Sequence, residues 1–229
     1  IHPLKNIAAM NHDVLKRILG FAALTKSYFS LLTSTAMASI TIMLVANPQP
    51  SQFINMVLFF FLSTAFLNSY NNLADIKSDI LTKENFPLTE GVIKPRQAAL
   101  FSASVLLMAI IALIPLVVQN LHLFFVLLFD LLLGYIYSFP KIRLKRYPVI
   151  KGSVLITHTV LLPIVAGSLL IGKDVFTYGW IMVPVYLMGL AIHTVQDIGD
   201  VHGDLAMGDR TLPLILGLKR SIWLVLALL

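Results

Sequence analysis

The sequence has no cysteine among its 229 residues, which excludes disulfides and thiolate metal sites. It is also poor in charge. Asp, Glu, Lys and Arg together make up 12%, about half the share in a soluble domain. Hydrophobic residues make up 58% and the mean hydropathy is +0.86, so lipid rather than water is the expected solvent. The first 20 residues mix Lys5, Asp13, Lys16 and Arg17 into the apolar sequence and do not read as a cleavable signal peptide.

What is abundant is long apolar runs. A spanning helix needs about 20 such residues, and six complete candidates fit: 21–46, 53–74, 98–118, 121–139, 153–171 and 176–195. A seventh begins near Leu212 and is still apolar at Leu229, which suggests a sequence cut short inside a span. The expected fold class is all-α, a polytopic transmembrane helix bundle. The net charge of +6 does not point to nucleic acid. The connections 47–52, 119–120 and 172–175 hold a single basic residue, Lys173. The N-terminal segment and the connections 75–97, 140–152 and 197–211 carry the positive-inside signal, which places them at the cytoplasmic face.

Acidic residues gather at that same face. Asn71, Asp75 and Asp79 stand four apart, and Gln196, Asp200 and Asp204 repeat the pattern 125 residues later. Positions four apart stack on one helix face. Pro87-Leu88-Thr89-Glu90-Gly91 pairs with Pro213-Leu214-Ile215-Leu216-Gly217 at an offset of 126. These matches suggest a single domain over 1–229 built from two parallel four-helix repeats, about 21–140 and 153 to the end, with a site at their interface. Carboxylates crowded at helix C-termini repel one another and the helix dipole, a cost that a cation removes. Oxygen donors without cysteine favour Mg²⁺, or Mn²⁺, completed by substrate phosphates.

Residues 71–79, Asn-Asn-Leu-Ala-Asp-Ile-Lys-Ser-Asp, fit the NxxxDxxxD signature of the UbiA superfamily of membrane prenyltransferases. Residues 197–204, Asp-Ile-Gly-Asp-Val-His-Gly-Asp, resemble its second acidic motif, and Tyr137-Ser138-Phe139-Pro140-Lys141 resembles its YxxxK element. Gly208-Asp209-Arg210-Thr211-Leu212-Pro213 is also similar to the family. The resemblance implies a bundle of nine helices around a central cavity, of which about seven fit in this chain. It also implies two Mg²⁺ ions binding an isoprenyl diphosphate, and transfer of the prenyl group to an aromatic quinone precursor or another lipid acceptor.

It assigns Asp75, Asp79, Asp200 and Asp204 as metal ligands, with Asn71 as a ligand or its neighbour. Asp197 falls beside the metals or toward the acceptor. Lys141, Arg143 and Arg210 become diphosphate clamps, and Tyr137 a phosphate or cavity contact. Lys26 stands where the family often has an arginine facing the acceptor, and Phe86-Pro87 replaces its Arg-Pro pair. Lys145, Arg146 and Lys151 read as topological anchors. Asp130 shares the spacing of Gly134, Tyr137 and Lys141 along the fourth helix and orients either an acceptor or a neighbouring helix. His158 and His193 read as satisfied interior histidines. Phe66, Tyr70 and Phe129 read as packing residues that also offer ring faces to an allylic cation. Two alternatives stay open at this stage: a membrane terpene cyclase of the same superfamily, and a cation transporter using the acidic clusters.

Overall fold

The computed structural model describes residues 2–25, 49–81, 86–118, 120–208 and 210–229. Most of the first expected span, and Lys26 with it, lies outside these residues. The described chain is helical: α1 His2–Leu24, α2 Pro50–Leu81, α3 Pro95–Val117, α4 Leu121–Ser138, α5 Pro148–Leu170, α6 Gly179–Gly199, α7 Val201–Met207, α8 Leu212–Leu216 and α9 Leu218–Leu228. Five of these, α2 to α6, are long and apolar enough to cross a membrane.

The helix starts follow from local chemistry. Pro50, Pro95 and Pro148 occupy first helical positions, where the missing N–H costs nothing. Gln97 accepts a hydrogen bond from the Lys94 backbone N–H at 3.0 Å. Asn120 caps α4 by accepting from the His122 backbone N–H at 2.9 Å. Within α5 the turn Thr157–Leu161 is a π-helix, and the Leu162 N–H reaches back to the Thr157 carbonyl. Pro163 follows at once, so a helix position without an N–H adjoins the widened turn.

The last expected span is corrected. The apolar run after Thr211 is divided at Gly217, whose φ of 80° ends α8 before α9 begins. Gly91, its partner in the paired segments, also has positive φ, 72°. Both are turns that a side chain would strain.

α2 forms the centre. Met56, Phe59, Phe60 and Phe66 are buried with Leu116 of α3 and Leu123 and Leu127 of α4. Leu100, Leu107, Ile111 and Ile114 of α3 are exposed, at spacings that put them on one stripe facing lipid. Lipid provides little hydrophobic drive for helix association, so small and polar residues mark the close approaches. Ser69 donates to Ser102 across α2 and α3 at 3.1 Å. A Cβ on Gly134 of α4 would lie 3.4 Å from the Leu67 Cβ of α2. On Gly189 of α6 it would lie 2.8 Å from Ile156 Cγ1 of α5.

α2 has 32 residues, about 48 Å at 1.5 Å per residue, against about 30 Å of hydrocarbon. Its length therefore exceeds what crossing the hydrocarbon needs, and Asp75 and Asp79 lie in its last two turns.

The two glycine contacts give opposite expectations. Gly189→Val overpacks the α5–α6 seam and costs about 1–3 kcal/mol, read as a lower midpoint of thermal unfolding in detergent. Adding Ile156→Ala recovers part of the loss, whereas Gly134→Ala alone is close to neutral. A Gly189→Val protein as stable as the native one would refute this packing.

Candidate functional site

Two acidic centres form, each around a basic side chain from the segment between α4 and α5 or the first turn of α5. At the first, α2 runs unbroken through Leu81, so Asn71, Asp75 and Asp79 share one stripe as the spacing requires. Asn71 Oδ1 accepts hydrogen bonds from Ser138 Oγ at 2.7 Å and from Lys145 Nζ at 2.8 Å. Asp75 is ion-paired to Lys145 and to Arg143 Nη2, the latter at 3.3 Å. Asp79 is buried.

The backbone makes this possible. Pro140 biases Phe139 against the helix, and α4 ends at Ser138. Arg143 then takes a left-handed conformation, φ 44° and ψ 65°, the only such non-glycine among the described residues. That turn leads into the single 3₁₀ turn Leu144–Arg146 and brings Lys145 back onto α2. Strain of this kind persists where the surroundings over-determine it; here two cations grip one carboxylate.

Lys141 corrects an expectation. Reading α4 as continuing placed it on the face of Gly134 and Tyr137, but the helix has ended. Lys141 is exposed and pairs with no carboxylate among the described residues. Lys145, whose position reads as an anchor, is the lysine that contacts Asn71 and Asp75. The local cue, the proline that ends the helix, is present in the sequence; the return of the chain is not. Tyr137 is buried. Asn72 is also a residue that spacing did not single out: it is buried and donates to the Leu24 carbonyl at 2.7 Å, tying α2 to the end of α1.

At the second centre the other supposed anchor, Lys151, lies 2.5 Å from Asp197 of α6. Asp197 is buried, while Asp200 at the α6–α7 break is exposed. The break keeps helical register, since the Asp200 N–H donates to the Gln196 carbonyl and the Asp204 N–H to the Asp200 carbonyl, at 3.0 and 2.9 Å. Asp204 is half-buried, and its Oδ2 has no hydrogen-bond partner among the described residues. Burial pushes the Asp204 carboxyl above the usual carboxylate range; Lys151 and the nearby Thr211 hydroxyl oppose the rise, and Asp197 and Asp200 add to it. Arg210 is exposed. His193 Nδ1 meets the Gln196 side chain at 2.8 Å, on a partly open surface.

Among the described residues no three acidic or imidazole side chains converge closely enough to form a complete metal shell. The centres are instead joined through one short segment, since Lys145 and Lys151 are six residues apart and each holds a different acidic motif. Deeper in the bundle, Asp130 is fully buried and bonded to Ser63 and to His158 Nδ1, the latter at 2.8 Å, with Thr64 on His158 Nε2 at 3.2 Å. Asp130 therefore joins helices. Phe66, Tyr70, Tyr135 and Phe139 stack in sequence at centroid distances of 5.8, 5.3 and 4.9 Å, whereas Phe129 is exposed.

Known proteins with this pattern and fold agree with one another. The chain is 29% identical over 161 residues to the digeranylgeranylglyceryl phosphate synthase of Thermococcus sibiricus, covering 70% of this chain and 55% of that protein. It is 31% identical over 154 residues to the synthase of Pyrococcus abyssi, covering 67% and 53%. The chain thus spans about half the length of the curated relatives it matches. In fold it resembles a UbiA homologue from Archaeoglobus fulgidus bound to DMAPP and Mg²⁺, with a TM-score of 0.72 at 22% identity over 93% of this chain and 73% of that one. The sequence model of the UbiA prenyltransferase family matches residues 31–229, and on that match, with both acidic motifs assembled at the helix ends, the chain belongs to the UbiA prenyltransferase family.

Proposed function

We propose that this chain transfers a prenyl group from an isoprenyl diphosphate to the hydroxyl of a glycerol-phosphate ether lipid, in a Mg²⁺-dependent reaction at the cytoplasmic face of a membrane. The observation that carries this reading is the short cationic segment whose Lys145 and Lys151 hold the two acidic motifs. It supports a site in which carboxylates and cations alternate around a polyanion. The lipid acceptor, rather than an aromatic one, rests on the digeranylgeranylglyceryl phosphate synthases among the relatives.

The donor set fits magnesium. It is all oxygen, and the enclosed Oδ2 of Asp204 lacks a partner among the described residues. Mg²⁺ takes only one or two protein carboxylates per ion and completes its octahedron with water and phosphate, and each acidic motif offers two. Asp75 and Asp79 with Asn71 would hold one ion, and Asp200 and Asp204 a second. Bound there, magnesium would neutralise charge on the departing diphosphate.

The chain's own groups supply the rest. Arg143, Lys145 and Lys151 are held at the site by the carboxylates they neutralise. Once metal takes over that neutralisation, their donors turn to phosphate oxygens. Lys141 and Arg210, exposed at the same end, are further diphosphate contacts. The C1–O bond of the allylic diphosphate breaks, and the acceptor oxygen bonds to C1 as its hydroxyl proton passes to the released diphosphate. The stacked rings from Phe66 to Phe139 lie beside the Asn71 turn and offer their faces to the allylic cation. Exclusion of water by the bundle keeps that cation from being captured as the alcohol.

Two measurements test the reading. Protein in lipid nanodiscs, given labelled geranylgeranyl diphosphate and geranylgeranylglyceryl phosphate, should transfer label and release diphosphate only with Mg²⁺. Asp75→Asn or Asp200→Asn should lower kcat by about 10²-fold or more. Turnover within twofold of native in both variants removes the site, while label found in a product formed without acceptor indicates a cyclase. Second, Asp204→Asn removes a carboxylate whose charged form is disfavoured by burial. The metal-free midpoint of unfolding should hold or rise, while affinity for Mg²⁺ with a non-hydrolysable diphosphate analogue falls at least about tenfold. A large stability loss would mean that Asp204 is structural.

A further inference from the structure

The bond from Ser63 to Asp130, the close approach of Leu67 to Gly134, and the bond from Ser138 to Asn71 share one offset of 67 residues. Positions 63, 67 and 71 of α2 stack at four-residue intervals, as do 130, 134 and 138 of α4. The two helices run parallel, and this seam is in register over two full steps, each about 6 Å of helix rise. Its upper rung belongs to the acidic site. Its lower rung, about 12 Å deeper, is the buried carboxylate of Asp130.

That lower rung also includes α5. His158 is fully buried and lies in the π-helical turn Thr157–Leu161. The extra residue of such a turn re-aims the face of the helix, and His158 meets Asp130 with one ring nitrogen and Thr64 of α2 with the other. Seven residues back along α5, on the same face and about 10 Å nearer the site, stands Lys151, the partner of Asp197. A carboxylate at this depth is costly unless paired, and Ser63, Thr64 and His158 can satisfy it and one another in this alignment of the three helices. Sliding α4 by one turn would leave Asp130 unpaired and separate Ser138 from Asn71 in the same movement.

We propose that the Asp130–His158 pair with Ser63 and Thr64 is a register lock, a set of positioning residues that fixes α2, α4 and α5 axially. It acts on the site through the Leu67–Gly134 rung, so that the Asn71 and Asp75 cluster and Lys151 meet the diphosphate together. The consequence for diphosphate binding rests on the function proposed above; the register lock itself does not.

A sequence free of cysteine makes the test clean. Leu67→Cys with Gly134→Cys places two Cβ atoms about 3.4 Å apart, close to the separation a disulfide needs. On mild oxidation of the full chain in nanodiscs, the pair should cross-link rapidly, quantified by loss of maleimide labelling. Adding Asp130→Leu should slow cross-linking at least about fivefold and weaken binding of Mg²⁺ with geranylgeranyl thiolodiphosphate at least about tenfold. Asp130→Asn, which keeps hydrogen bonds to Ser63 and His158, should stay within about threefold on both. Locking the disulfide before measurement should restore diphosphate affinity to the Asp130→Leu protein, a rescue that a general loss of stability would not give. If Asp130→Leu does not accumulate, Ser63→Ala and Thr64→Val remove one arm each and should shift both readouts in the same direction. The proposal is overturned if the native-background cysteine pair does not cross-link. It is also overturned if the Asp130 or single-arm variants leave both readouts unchanged, or if affinity falls while cross-linking does not. Cross-linking as expected in a protein without prenyl transfer would keep the lock and remove the proposed function.

Discussion

Carboxylates placed at the ends of membrane helices must be neutralised, and that requirement organises the upper half of this molecule. Asp75 lies near the C-terminal end of α2 and Asp197 near that of α6, where the helix dipoles add to the repulsion. These pairs are partly buried, and losing one partner leaves the other charge uncompensated, so the cations are held in place by the acids. Both come from a stretch of chain that a proline detaches from α4 and a left-handed arginine turns back. The result is a pair of acidic helix ends whose charges are balanced by cations from one short stretch of chain.

The same constraint applies deeper down. Asp130 sits within a span with its charge-bearing group enclosed, a placement that lipid penalises unless partners surround it. Those partners come from two other helices, so the residue couples their positions. An apolar seam in lipid would have little to resist sliding, because the hydrocarbon outside packs as well as the side chains within. Polar rungs at fixed offsets resist it, and the site is built on the last of them.

Much of this is legible from residue spacing. Four-residue intervals put Asn71, Asp75 and Asp79 on one stripe, and α2 does continue far enough to present them. The positive-inside pattern by itself groups the acidic and basic connections on one side. Periodicity carries Lys141 onto the α4 face only by assuming a helix that Phe139-Pro140 terminates. Lys145 and Lys151 look like anchors because charge counting near a membrane treats all lysines alike. Which lysine reaches an aspartate depends on a chain reversal at Arg143, a residue type that gives no hint of left-handed geometry.

What the sequence determined by itself was therefore local or statistical: five of the spans, set by runs of apolar residues; the acidic stripes, set by helical period; the exclusion of thiolate ligands, set by the lack of cysteine; and the family, set by motifs in order. What only the tertiary structure decided was pairing across distance. Ser63 with Asp130, Asn71 with Ser138, Asp75 with Lys145 and Asp197 with Lys151 are 67, 67, 70 and 46 residues apart. No local rule connects them. Each pair exists because the folded bundle brings into reach partners whose charge or hydrogen-bonding groups cannot be left unsatisfied at the edge of, or inside, a membrane.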